Sequence, residues 1–259
     1  MKNLNVILLV GGQSTRFTSS FDKKIRVPKA LGKIDSNELI IHVMNHLNKH
    51  NLKNFILPLG YFKKEFIFFF LNKKKIFGKK CNIFLKYDEY LKHVALNNNH
   101  INILLQDTGL NSNKAQRVYA IVNKLNLENF VVTYGDAVGN INLKKMYHKH
   151  LKSSCFMSAA AIQPYSQYGH FSFNNSNNVA NNFIEKPKLN HWINIGYFFF
   201  KKPAIEFLKK YRINDLESGI VKKISKKNKL FIYKHTKFWK SVDTLKDLIE
   251  LKKNVKKLN

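Results

Sequence analysis

The stretch "NVILLVGGQSTRF", residues 5–17, opens with an unbroken apolar run that stops on Gly11 and Gly12 and then delivers Arg16. An apolar run of that length, bounded by glycines, predicts a strand over 5–10 that is buried on both faces, as in a parallel sheet. Glycines after such a strand let backbone N–H groups come close to a ligand, and a nest of that kind binds phosphate oxygens. "VPKAL", residues 27–31, follows closely and adds Lys29, with Pro28 to fix the chain just before it. A polyphosphate needs mobile positive charge as well as amides, and Arg16 and Lys29 supply it. No Gly-Lys-Ser/Thr follows, so this is not a Walker A loop, and the absence of G-x-G-x-x-G excludes a dinucleotide fingerprint. Taken alone, a Gly-Gly pair after a strand is equally a plain turn.

Working outward, short apolar runs alternate with helical patterns. Strands are predicted over 54–59, 82–87, 101–105 and 129–134, and helices over 37–49, 61–72, 113–125 and 142–151. Asp35 or Ser36 can cap the first of these helices and Asn113 the third. Such alternation means βαβ units and a parallel sheet, in which ligands collect at the carboxyl ends of the strands. The second half adds a strand over 155–162, then "GHFSF" and "VANNFIEKP" as a hairpin around "NNSNN". It continues with a strand over 191–200, helices near 203–211 and 217–226, a strand at 229–235 and a last helix from about 243. No Gly/Ser linker or repeat interrupts the chain, so residues 1–259 are expected to form one domain.

The totals agree with a globular protein. The chain has 259 residues, 44% of them hydrophobic and 13% aromatic, enough for a full core. No apolar run approaches the roughly 20 residues that cross a bilayer. A first strand explains the N-terminus better than a leader does, and the expected location is the cytoplasm. Cys81 and Cys155 lack metal spacing and are expected to be reduced core residues. The net charge of +29 invites a nucleic-acid role, but the lysines run along the whole chain together with many asparagines, as a compositional habit would produce. Even so, such a field favours an anionic substrate. His42, His46 and His50 recur every four residues without a matching carboxylate, which reads as a solvated or interfacial helix face rather than a metal ladder.

Two carboxylates complete the pattern. "VVTYGDAVGN" ends a buried strand on Asp136, at the same sheet edge as Gly11 and Gly12, where a hard cation such as Mg²⁺ would accompany phosphates. "FWKSVDTLKDL" places Asp243 between a strand end and the last helix. Each aspartate could equally cap a helix; one shared ion would give both a single purpose.

The set "VGGQSTRF", "VPKAL", "LGY", "DTG", "YGDAVGNINL", "QPYSQYGHF", "FIEKP", "WINIGYFFF" and "YKHTKFWKSVDTLKDL" resembles, in order and from about residue 5 to 250, the sugar-phosphate nucleotidylyltransferases. The resemblance is closest to the glucose-1-phosphate cytidylyltransferase branch. It implies an α/β fold with a Rossmann-like, mixed but mostly parallel central sheet flanked by helices, and an inserted β-hairpin on the acceptor side. It implies transfer of CMP from CTP to a phosphorylated acceptor with release of pyrophosphate, in nucleotide-sugar and polysaccharide biosynthesis. On this resemblance Val10, Gly11, Gly12, Ser14 and Thr15 form the nucleotide loop, Thr108 and Gly109 read the pyrimidine, and Arg117 joins them. Arg16 and Lys29 would neutralise the triphosphate, Asp136 and Asp243 would hold Mg²⁺, and Lys186 would grip the acceptor phosphate. Tyr134, Glu185, Asn194 and Gly196 would complete the acceptor site, and relatives often assemble as homo-oligomers.

Three departures stand out. Ser14 replaces a third glycine, "LNSNKAQR" loses both glycines of the loop after "DTG", and "INIG" puts Ile195 where the family keeps glycine. The last two point to the acceptor side and to an acceptor other than glucose 1-phosphate, another sugar phosphate or a phosphorylated non-sugar. Competing expectations are a different nucleotide, a catalytically silent nucleotide-binding homologue, or salt-sensitive nucleic-acid binding.

Overall fold

A computed structural model describes residues 1, 4–19, 27–73, 75–76, 79–80, 91–95 and 101–254. The central sheet is built from β1 (Asn5–Leu9), β2 (Asn54–Leu59), β3 (Leu91–Ala95), β4 (Asn102–Asp107), β5 (Phe130–Tyr134), β6 (Met157–Ile162), β9 (Ile193–Phe200) and β10 (Leu230–His235). Two further strands, β7 (His170–Phe173) and β8 (Ala180–Ile184), form a separate hairpin. The sheet order is β10-β6-β9-β5-β1-β2-β4-β3. Pairs β1–β2, β1–β5, β2–β4 and β6–β10 are parallel, whereas β6–β9, β9–β5 and β3–β4 are antiparallel. The mixed α/β sheet and the hairpin agree with the sequence.

Period-two side-chain alternation sorts each strand between two apolar layers. Val6 and Leu8 enter one core cluster, Ile7 and Leu9 the other. In β9, Ile195, Tyr197 and Phe199 face the first cluster, and Phe198 and Phe200 the second. Helices cover both faces: α1 (Leu39–Lys49), α2 (Lys63–Asn72) and α4 (Leu143–Lys152) feed the first cluster, and α3 (Lys114–Lys124) and α5 (Pro203–Tyr211) the second. The last helix, α6, is Leu245–Lys253. Within "FIFFF", Phe66 and Phe70 are core, while Phe68 is exposed.

Several local expectations change. Glu38 precedes α1 without a side-chain cap, because Asp35 and Ser36 form the turn between the short paired strands Lys33–Ile34 and Asn37–Glu38. Asp35 has φ +53°, a turn conformation that Asp tolerates. Asn113 does cap α3, in a reciprocal capping box with Gln116. Asn113→Ala is therefore expected to cost about 1 kcal/mol, read as a lowered urea midpoint at unchanged slope. The helix expected near 217–226 begins with a π turn, Leu216–Val221, before an α turn, Lys222–Lys226. Cys155 is a free thiol and only half-buried, so it is not a core residue. Cys81 and the strand expected at 82–87 lie outside the described residues. Among the described residues no helix is long and apolar enough to cross a membrane.

The histidine face of α1 is half-buried rather than fully solvated. His46 packs its ring against His50 (5.0 Å between centroids) and against Tyr197 (6.4 Å) on the sheet. The α1 helix is amphipathic toward the sheet, and that stripe carries these rings inward. His150, on α4, is buried with Nδ1 2.7 Å from Ser158 Oγ. Burial, reinforced by His50, pushes His46 down to about 4; burial, reinforced by Lys201, does the same for His150. Both values lie below the roughly 6.5 of an unfolded histidine, so the unfolded chain takes up protons first as pH falls. The stability these neutral histidines allow is complete above about pH 6.5 and is lost progressively toward pH 4. Urea midpoints are expected to fall by the equivalent of a few kcal/mol between about pH 7 and about pH 4.5; a flat profile would contradict the buried neutral state.

Candidate active site

A cavity of about 740 Å³ opens at the carboxyl ends of β1 and β5, near the middle of the sheet. Its walls include Val10, Gly11, Gly12, Ser14, Thr15, Arg16 and Lys29 from the N-terminal segment, together with Tyr134, Asp136 and Asp243. That volume suits a nucleotide-sized ligand.

A short antiparallel ladder brings the two aspartates together. Ala137–Gly139 pairs with Trp239–Ser241, Ala137 opposite Ser241, and Val242 N–H donates to the Asp136 carbonyl at 2.9 Å. Neither aspartate is a helix cap: Asn142 caps α4 and Thr244 caps α6. Lys29 lies between the two carboxylates, with Nζ 2.6 Å from Asp136 Oδ2 and 2.9 Å from Asp243 Oδ1. Arg16 Nη2 lies 3.4 Å from the same Asp243 oxygen. Burial alone would lower the Lys29 pKa, but Asp136 first and then Asp243 carry it above its ordinary value, so the ammonium stays charged. Two carboxylates that already share one cation form a site of the right donor type for Mg²⁺, a hard ion that fills its shell with carboxylate, phosphate and water oxygens.

The glycine loop is tied to this group. Ser14 takes φ +51°, a left-handed conformation that favours glycine, and its Oγ accepts from Lys29 N–H at 3.3 Å. Gly11 is packed against Arg117: a Cβ there would lie 2.7 Å from the guanidinium carbon, and one on Gly60 2.4 Å from a guanidinium nitrogen. Arg117 is 4% exposed; it donates to the Leu59 carbonyl (2.8 Å), Thr108 Oγ1 (2.7 Å) and the Leu110 carbonyl (3.2 Å). Burial lowers its pKa, and nearby Asp107 partly offsets this. Arg117 thus braces the floor of the loop. Thr108 is occupied with Arg117 and Leu59, and neither it nor Gly109 lines the cavity; residues 110–114 form that wall instead.

The opposite wall carries charges that the sequence did not single out. Lys114 Nζ lies 2.8 Å from Asp215 and 2.5 Å from Glu217, and sits over the Tyr134 ring. Tyr134 Oη donates to Glu217, and burial followed by Glu217 raises the phenol pKa, which keeps it a donor. Burial would lower the Lys114 pKa, but hydrogen bonds to Asp215 and Glu217 raise it. "DLE" in the chain has no spacing signal for this role; only the fold brings it beside Lys114.

The acceptor-side residues are less tightly gathered. Gly196 (φ +78°) backs directly onto Tyr134, and Asn194 Oδ1 accepts from Gly196 N–H. Ile195 is 1% exposed and faces the core cluster on the other side of the sheet from Phe198, so its side chain does not narrow the crevice. The argument for an altered acceptor from Ile195 therefore falls, because adjacent residues of a strand point to opposite faces. Glu185 and Lys186 stand at the exposed end of the hairpin, 3.8 Å apart, and do not line the cavity.

Comparison with known proteins agrees with this geometry. A family model described as nucleotidyl transferase matches residues 5–257. The chain is 26% identical over 250 residues to the "Probable glucose-1-phosphate cytidylyltransferase" of Bacillus subtilis, covering 96% of this chain and 95% of that protein. It is 25% identical over 257 residues to glucose-1-phosphate cytidylyltransferase of Salmonella typhimurium, covering 96% and 94%. The solved inositol-1-phosphate CTP transferase of T. maritima superposes with a TM-score of 0.68 at 14% identity, over 100% of this chain and 97% of that one, which speaks to fold alone. With a glycine loop, two cations and two aspartates at the carboxyl edge of a mixed sheet, and a family match across nearly its whole length, the chain belongs to the nucleotidyl transferase family.

Proposed function

We propose that this protein transfers CMP from CTP to a sugar 1-phosphate such as glucose 1-phosphate, releasing pyrophosphate. The observation that carries this reading is the meeting of Lys29, Arg16, Asp136 and Asp243 in the cavity that the glycine loop borders. The acceptor's phosphate oxygen forms a bond to the α-phosphorus of the nucleotide while the bond from that phosphorus to the β-phosphoryl oxygen breaks. A phosphate monoester is already ionised near neutral pH, so no strong base is required. The barrier is the approach of two anions, and positioning with charge neutralisation lowers it.

Lys29 and Arg16 offset the charge of the nucleotide, and the Gly11–Gly12 backbone holds it. Asp136 and Asp243 would hold Mg²⁺, whose chemistry here is to neutralise phosphate charge and polarise the α-phosphoryl group. Tyr134 Oη, whose hydrogen goes to Glu217, and Asp215 offer acceptors for acceptor hydroxyls, and Asn194, Glu185 and Lys186 would reach the acceptor from the sheet edge and the hairpin. The choice of cytosine and of glucose 1-phosphate rests on the names of the relatives.

Pyrophosphate release should be measured with CTP, UTP, dTTP, GTP and ATP against a panel of sugar and non-sugar phosphates. CTP with a hexose 1-phosphate is expected to have the highest kcat/KM. A non-sugar phosphate or another nucleotide at the top of the panel would replace that part of the proposal. No turnover with any pair would replace the enzyme reading with a nucleotide-binding one.

A further inference from the structure

The stretch "LNSNKAQR" departs from the family pattern, and the structure gives that departure a place: Lys114, the first residue of α3, lines the cavity. An ammonium has three N–H donors. Lys114 Nζ lies 2.8 Å from Asp215 Oδ2 and 2.5 Å from Glu217 Oε2. The loop that carries these carboxylates is tied to the same end of the helix, since Asn113 Nδ2 donates to the carbonyls of Arg212 (3.1 Å) and Ile213 (2.8 Å). Arg212 also lies over the Tyr119 ring of α3, 4.9 Å from its centroid. The three charged groups therefore stay together, and hydrogen bonds to both carboxylates keep Lys114 an ammonium.

What this group leaves for a ligand is restricted. Glu217 is fully engaged, with Oε2 on Lys114 and Oε1 accepting from Tyr134 Oη. Asp215 gives only Oδ2 to Lys114, and its side chain is 40% exposed at the cavity wall. Tyr134 Oη has given its hydrogen to Glu217, so its lone pairs accept. Asp215 and Tyr134 would suit either a hydroxyl or an ammonium donor. Lys114 separates the two. The position that best suits a cation, between Asp215 and Glu217, is filled by Lys114 Nζ, and a second ammonium would lie beside a like charge at a half-buried wall. A neutral hydroxyl meets no such repulsion.

We infer that Lys114 is a specificity-determining residue, a built-in ammonium that excludes acceptors carrying their own cationic group and admits those that present neutral hydroxyls to this wall. The inference rests on the proposed transfer to a phosphorylated acceptor. Within that reading it decides for polyhydroxylated phosphates against phosphorylated amino alcohols and amino sugars.

The full chain is tested as wild type, K114M, K114R and D215N. Pyrophosphate release with CTP, and equilibrium binding beside a non-hydrolysable CTP analogue, are measured for glucose 1-phosphate, amino-deoxy hexose 1-phosphates and phosphoethanolamine. The wild type should favour glucose 1-phosphate over the best ammonium-bearing acceptor by about 100-fold or more in both readouts. K114M keeps the bulk of the side chain without its charge, and it should narrow that ratio by about 10-fold or more while the ammonium-bearing acceptors gain outright. K114R restores the charge and should return the wild-type ratio. D215N keeps Lys114, removes one countercharge and should widen the ratio; at its exposed position it decides the question even if K114M loses its thermal transition. A wild-type ratio near one, an unmoved ratio in folded K114M, a shifted ratio in K114R or a narrowed ratio in D215N would each overturn the inference. Binding ratios as stated without turnover would remove the transfer reading and leave the role of Lys114. Turnover of glucose 1-phosphate with an unmoved ratio in folded K114M would do the reverse, and a wild type that binds neither class would overturn both.

Discussion

Asp136→Asn is expected to lower kcat for pyrophosphate release by about 10²–10³-fold while leaving the fold intact. Asparagine keeps the shape of the side chain and removes one of the two negative charges that share Lys29. The lost carboxylate is one of the two that would hold Mg²⁺, and the charge balance around the reacting phosphates shifts with it. Nucleotide affinity should change less than kcat, because the glycine loop and Arg16 are untouched and the effect belongs to the transition state. Steady-state pyrophosphate release and nucleotide titration on the same preparation separate the two. If the variant keeps more than about a tenth of wild-type kcat, the two aspartates do not work as the proposed pair. The same variant distinguishes an enzyme from a salt-sensitive nucleic-acid binder, whose affinity would be unchanged or stronger after losing a negative charge.

Gly196→Ala is expected to destabilise the protein by about 2–5 kcal/mol and to raise the KM for the acceptor. Two independent effects add there. Gly196 has φ +78°, a conformation L side chains rarely adopt. A Cβ at that position would lie 2.4 Å from Tyr134 Cδ2, so the ring or the strand must move. Tyr134 is the ring beneath Lys114 and the donor to Glu217, so its displacement disturbs the whole opposite wall of the cavity. A domain of this size should lose on the order of 5–15 °C in Tm. A variant with unaltered Tm would show that this backbone is not held as the structure has it. The control is Ile195→Val, one position earlier, whose side chain lies in the core: it should cost about 1 kcal/mol and leave the acceptor KM alone.

Much of the site was legible because its signals are local. A buried strand ending in two glycines, an arginine and a proline-anchored lysine is a short-range pattern, and the structure gathers Gly11, Gly12, Arg16 and Lys29 at one cavity. The aspartates were legible as strand ends, yet helix capping remained open for both until Asn142 and Thr244 were seen to take the caps. The resemblance makes Arg117 part of the nucleotide site; in the fold it lines the cavity and also braces its floor, through backbone carbonyls and Thr108, partners that leave no trace in residue type.

The sequence by itself determined the α/β architecture, the separate hairpin and the sheet edge where the glycine loop borders the cavity, because alternation, glycine and proline act over a few neighbouring residues. Only the tertiary structure decided that Ile195 turns away from the crevice while Gly196 presses on Tyr134. It also decided that Lys29 lies between Asp136 and Asp243, and that Lys114 meets Asp215 and Glu217. The physical reason is that strand facing, ladder register and long-range ion pairs depend on contacts between residues about a hundred or more positions apart, where no local periodicity reports on the partner.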